Sequence, residues 1–184
     1  MTFLITSTCR TGTKWLAWLM NYSSQWEVVH ELPYEERDHF GIIDCNQAIK
    51  YQQHRWSKIG VIFRDMREQI VSHFNHHVDT GKHPWGYIDF LREKYGAYVH
   101  GLDRLLEEGA QFIHYNRFND LHYVNQIMRD FGIHDFQAEQ KHLDTKVNQA
   151  KMIAKSYDEL PRVVRQVAEQ HFWYQEKYGS CDEH

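Results

Sequence analysis

Apolar strand-like runs alternating with helical patterns predict an α/β fold. The expected form is one three-layer domain over residues 1–184, with a mostly parallel sheet of about four to five strands and helices on both faces. Two segments carry this expectation. Phe3-Leu4-Ile5-Thr6 is β-prone and leads through the small polar run Ser7–Thr13 into Lys14–Tyr22, where Trp15, Leu16, Trp18 and Leu19 recur at helical spacing. Ile59-Gly60-Val61-Ile62-Phe63 is nearly continuous in apolar residues, as a strand covered on both faces must be.

The other elements follow in order. Trp26–Val29 reads as the second strand, with Pro33 ending its ladder. Residues 34–57 are mixed and polar and read as short helical pieces. Arg67–His77 predicts a helix with Ile70, Val71 and Phe74 on one face. Pro84–Glu108 predicts a long helix, opened by Pro84 and closed by Gly109. Phe112–Tyr115 is the last strand, followed by a helix over residues 117–131 that Gly132 stops. Residues 135–157 carry no clear pattern, and Glu159–Tyr178 reads as a terminal helix. Right-handed crossovers would bring all strand C-terminal ends to one edge, where ligands bind.

Composition narrows the classes of function. The net charge of −4 argues against a general nucleic-acid binder. No apolar stretch approaches the roughly 20 residues that span a bilayer, so no membrane association is expected. The N-terminal apolar run lacks the basic region and cleavage site of a signal peptide. Cys9, Cys45 and Cys181 are widely spaced and odd in number, which fits a reducing, cytoplasmic location better than a disulfide framework. His73 and His77 stand four apart on a predicted helix. The sequence lacks the H-E-x-x-H order, and no Cys or carboxylate lies at ligand spacing nearby, so no metal is expected.

Three segments fall at the predicted ligand edge. In Cys9-Arg10-Thr11-Gly12-Thr13-Lys14, a loop between a buried strand and a helix N-terminus presents unpaired N–H groups and the positive end of the helix dipole to an anion. Gly12 permits close approach, Thr11 and Thr13 add hydroxyls, and Arg10 and Lys14 add charge. The Walker pattern G-x-x-x-x-G-K-[ST] is not met, because the first Gly is absent and Lys14 is one place late. In the second segment, Arg64 ends a buried strand and Ser72 lies on the following helix. Read alone, Arg64 is a salt-bridge partner of a neighbouring carboxylate and Ser72 a helix-face residue; together they are a fork and a hydroxyl suited to a phosphate. The third segment is His30-Glu31-Leu32-Pro33 after the second strand.

Arg10-Thr11-Gly12-Thr13-Lys14-Trp15-Leu16 resembles the [KR]-[ST]-G-[ST]-x-W-L loop of the P-loop-like, PAPS-dependent sulfotransferases. Val61-Ile62-Phe63-Arg64-Asp65 with Ser72 is similar to their second motif, in the same order along the chain. The resemblance covers roughly residues 2–148. It implies a donor, 3′-phosphoadenosine 5′-phosphosulfate (PAPS), with adenosine 3′,5′-bisphosphate as product. Arg10 would contact the bridging and sulfuryl oxygens. Thr11, Gly12, Thr13 and Lys14 would cradle the 5′-phosphate, with Trp15 beside the loop. Arg64 and Ser72 would clamp the 3′-phosphate. Aligned on Leu32-Pro33, Glu31 occupies the family's general-base position, and His30 is the alternative. Strand alternation would point these two to opposite faces.

Two parts of the family pattern differ here. Asn116 and Arg117 stand where the family's turn after strand four carries an acidic pair. The Gly-rich C-terminal loop has no counterpart, and Lys146, near Asn148, is the candidate to replace it. The acceptor is expected to be a small molecule, a carbohydrate or a peptide with a hydroxyl or amine. Tyr34, His39, His73, His76, His77 and Trp85 are its candidate lining. A small-molecule or nucleotide kinase on the same fold and a non-catalytic nucleotide-binding relic are the alternative readings. The oligomeric state is not legible.

Overall fold

A computed structural model describes residues 1–30, 38–45, 56–145 and 153–179. Its centre is one five-stranded, all-parallel sheet in the order β2-β3-β1-β4-β5. The strands are β1 (Thr2–Ser7), β2 (Glu27–Val29), β3 (Phe40–Cys45), β4 (Lys58–Phe63) and β5 (Gln111–His114). β1 pairs with β3 from Thr2↔Phe40 to Ser7↔Cys45, and with β4 from Phe3↔Lys58 to Thr6↔Val61. From β1 the chain goes out to β2 at one edge, returns to β3 beside β1, and then crosses past β1 to β4 and β5. The connections from the neighbouring strands β1 and β3 therefore run in opposite directions, and their C-terminal ends form the switch point of the sheet.

Helices cover both faces. Strand alternation sends Ile62 to one side of β4 and Val61 and Phe63 to the other. On the first face, Ile62 joins Phe3, Ile5 and Ile113 against α1 (Thr13–Met20) and α5 (Leu121–Asp130). On the second, Val61 and Phe63 pack with α2 (Met66–Asp79), α3 (Pro84–Phe90), α4 (Gly96–Glu107) and α7 (Arg162–Ala168). A short α6 (Gln140–Leu143) and a final α8 (Trp173–Tyr178) complete the described helices. None of the described helices is long and apolar enough to cross a membrane.

The architecture expected from the sequence is therefore present, with local corrections. β3 lies where short helical pieces were expected, and it is an interior strand. Phe40, Ile42 and Ile43 are fully or nearly fully buried, and Gly41 admits the Phe3 ring against the backbone. Asp44 is buried too, its carboxylate accepting the Cys45 N–H at 2.7 Å. The long helix over 84–108 is α3 and α4 joined by a π-helical segment, Leu91–Tyr95. The last helix is two pieces, α7 and α8, separated by the 3₁₀ turn Glu169–His171. α5 starts at Leu121, where Asp120 caps it, and Tyr115–Arg117 is a separate 3₁₀ turn.

The Gly41 packing gives a stability prediction. A Cβ there would overlap the Phe3 ring, which Trp26 and Phe131 hold at ring separations of 5.0 and 5.3 Å. Gly41→Ala is expected to cost about 1–3 kcal/mol and lower the Tm by roughly 2–12 °C. Calorimetric melting of both proteins measures this, and an unshifted Tm would show that the Phe3 ring yields freely.

Candidate anion-binding site

All five strands deliver a residue at or just past their C-terminal ends to one cavity of about 1300 Å³: Arg10, His30, Cys45, Arg64 and Tyr115. The loop between β1 and α1 forms its base. φ is positive at Arg10 (66°) and Gly12 (77°) but not at Thr11. Such alternation turns successive N–H groups toward one point and makes a concave anion cradle. For arginine this conformation is uncommon and strained. Gly12 is required twice over. Its backbone is left-handed, and a Cβ would sit 3.0 Å from the Tyr115 ring and 3.2 Å from the Phe118 ring. Gly12 is also the N-cap of α1, which has no side-chain cap and no acidic residue in its first turn. The first-turn N–H groups have no intrahelical acceptor and face the loop.

A buried polar relay holds this loop. The Gln69 amide donates to the Thr8 hydroxyl and, at 2.6 Å, to the Cys9 carbonyl. The Tyr95 hydroxyl donates to the Gln69 amide oxygen at 2.9 Å. The Thr11 hydroxyl donates inward to Ser7 Oγ and the Thr8 carbonyl. Thr11 is thus a brace of the loop, and only its backbone N–H remains for an anion, not the hydroxyl expected from the sequence. Thr13 keeps its hydroxyl at the cavity wall, 3.3 Å from His30 Nε2. Lys14 lines the cavity as well. Trp15 packs at a tilt against Phe118 with ring centroids 5.3 Å apart, donates its indole N–H to the His142 carbonyl, and borders the cavity from the core.

The second motif meets the first. Arg64 Nη1 donates to the Arg10 carbonyl at 2.8 Å, and Arg10 Nε donates to Ser72 Oγ at 3.4 Å. The Arg64 guanidinium lies over the Tyr115 ring at 4.5 Å. Arg64 Nε is buried without a hydrogen-bond partner, and it forms an i,i+4 ion-pair contact with a Glu68 carboxylate oxygen 3.6 Å away. Burial, and then the nearby charge of Arg64, lower the Arg10 pKa below its ordinary value. Two partly buried guanidiniums held this close favour an anion between or beside them.

The rest of the wall is cationic. Among the described residues, Arg67, Lys82 and Lys155 join Arg10, Lys14 and Arg64, with Glu68 the one carboxylate. Arg67 is stacked against Tyr157 and Phe172, 5.6 and 5.7 Å from their ring centres. His73 and His76 line the α2 side. Burial, and then the positive neighbours His76, His77, Arg10 and Lys82, push the His73 imidazole down to about 3. It is therefore neutral across the physiological range. His76 is lowered by burial and by Arg10 and Lys82.

Other expected site residues fall elsewhere. His39 meets the Trp26 ring edge-on at the N-terminal end of β3 and is not among the cavity residues. His77 Nε2 lies 3.1 Å from the His83 carbonyl, and Trp85 is 62% exposed; neither is among the cavity residues. Glu31, Tyr34, Lys146 and Asn148 lie outside the described residues. No group of three or more His, Cys, Asp or Glu among the described residues could hold a metal ion. Arg67, Lys82 and Lys155 were not singled out from the sequence, because no spacing links them; the topology brings them together.

The fold and this cavity define an α/β protein with a candidate anion-binding site at the switch point of a parallel sheet. No protein-family model matches the chain, and no curated protein is significantly similar to it.

Proposed function

We propose that the chain is a sulfotransferase that takes the sulfuryl group of PAPS to a hydroxyl or amine of a second substrate. One observation carries this reading: the Arg10 loop and the Arg64–Ser72 pair, 62 residues apart in sequence at Arg10 and Ser72, are hydrogen-bonded to each other at one cavity. A nucleotide with anionic groups at both its 3′ and 5′ positions needs two such cationic grips within one ligand's reach. The residues also fit an anion on independent grounds. The α1 N-terminus has no side-chain cap, and the buried Arg64 Nε makes no hydrogen bond, with the Glu68 carboxylate 3.6 Å away. The cavity, at about 1300 Å³, exceeds the roughly 300–1,000 Å³ of ordinary single-ligand pockets and so has room for donor and acceptor together.

In this reading the loop N–H groups and Lys14 hold the 5′ end, and Arg64 and Ser72 hold the 3′-phosphate. The acceptor oxygen or nitrogen attacks sulfur. The bond from sulfur to the bridging oxygen breaks, and adenosine 3′,5′-bisphosphate leaves. Arg10 and the α1 N-terminus stabilise the charge that gathers on the leaving phosphate. The acceptor proton passes to His30, which stands in the cavity wall beside Thr13, or to its neighbour Glu31.

Incubation with labelled PAPS and a broad acceptor panel tests the activity. Thermal shift with adenosine 3′,5′-bisphosphate against ATP–magnesium separates this reading from a kinase. Stabilisation by the bisphosphate is expected; stabilisation by ATP–magnesium alone would overturn the assignment. Once an acceptor is found, the base variant, His30→Gln or Glu31→Gln, is expected to lose about 100-fold or more in turnover while keeping donor affinity within a few-fold. If neither variant loses turnover, the base lies on another residue.

A further inference from the structure

Cys9 follows β1 and Cys45 ends β3, the strand hydrogen-bonded beside it. Their sulfurs are 3.5 Å apart, neither residue is in a disulfide, both are half-buried, and both line the cavity. The transfer chemistry uses neither thiol. We propose that Cys9 and Cys45 are an oxidant-sensitive dithiol site, at which a peroxide converts the pair to an intramolecular disulfide beside the anion cradle.

The surroundings suit the chemistry. A cysteine becomes reactive where it is accessible and a cation favours its thiolate. Arg10 adjoins Cys9 in the chain, and its charge acts on both sulfurs. The backbone under each thiol is anchored. The Cys9 carbonyl accepts from Gln69 at 2.6 Å, and the Cys45 N–H donates to Asp44 at 2.7 Å. Closure brings the two sulfurs from 3.5 Å to the S–S length of about 2.05 Å. The reaction is balanced by hydrogen peroxide. One thiolate attacks an oxygen of the peroxide, the O–O bond breaks, and a sulfenic acid and hydroxide form. The second thiolate then attacks that sulfur, and hydroxide leaves as the S–S bond forms. Both hydroxides end as water, so two thiols and one peroxide give one disulfide and two waters.

The test uses the full chain with Cys181→Ser, which removes the third thiol. After hydrogen peroxide, thiol titration and non-reducing peptide mapping are expected to show both thiols lost and the Cys9 and Cys45 peptides joined within one chain. Dithiothreitol should restore both thiols. Adding Cys45→Ser should leave a sulfenic acid on Cys9 that dimedone traps. The proposal is overturned if both thiols still titrate in the folded protein, if they end as separate sulfinic or sulfonic acids, or if the joined peptides come from two chains. A second arm repeats the oxidation with saturating adenosine 3′,5′-bisphosphate. Slower oxidation is expected from a ligand filling the cavity. An unchanged rate would leave the dithiol in place and count against the nucleotide site instead.

Discussion

Arg10→Ala is expected to lower the rate of sulfuryl transfer by roughly 100- to 1000-fold, the loss that follows removal of one donor aimed at developing charge. The substitution is clean in one respect. Arg64 holds the carbonyl of residue 10, not its side chain, so alanine leaves that 2.8 Å bond available. What disappears is the guanidinium, with its 3.4 Å bond to Ser72. The affinity for adenosine 3′,5′-bisphosphate should fall far less than turnover, because the product lacks the sulfuryl oxygens assigned to Arg10. Steady-state kinetics with labelled PAPS, beside calorimetry with the product, separates the two quantities. Turnover within a few-fold of the parent would remove Arg10 from the reaction.

Arg64→Ala should show the reverse emphasis. Bisphosphate affinity is expected to drop by roughly 10- to 100-fold, matching the loss of a charge-assisted hydrogen bond to a partly buried ligand, about 1.5–3 kcal/mol. The side chain has an Nε without a hydrogen bond, 3.6 Å from the Glu68 carboxylate, and a second task in holding the Arg10 carbonyl. Arg64→Lys should recover only part of the affinity, since an ammonium cannot donate from a planar fork. Isothermal titration decides the point, and an affinity equal to the parent's in Arg64→Ala would take the 3′-phosphate away from this residue.

Much of the frame was legible because its strands are simple. β1 and β4 are covered on both faces and read as largely apolar runs. β3 is as buried as either, yet it escaped notice. Gly41 is there for the Phe3 ring and Asp44 for a local backbone bond, and both residue types argue against a strand when read alone. In the site, Arg10, Gly12, Arg64 and Ser72 could be found because each sits at a set distance from a strand end. Lys82 and Lys155 could not, since their place at the cavity depends on how the later helices pack on α2. The inward turn of Thr11 was equally hidden, because a threonine in a loop offers its hydroxyl to the backbone as readily as to a ligand.

The π-helical segment Leu91–Tyr95 has a consequence for the distant β1–α1 loop. A π turn absorbs one extra residue, and each residue advances a helix by about 100° around its axis. His171 approaches the Leu91 carbonyl at 3.2 Å, and the phenol of Tyr95 ends the segment pointing at Gln69. Excising a single residue here would swing that phenol roughly a quarter-turn aside. Gln69 would lose its backing and Cys9 its tether, so the curl of the chain at Arg10 is kept in phase by a hiccup in a helix some 80 positions downstream.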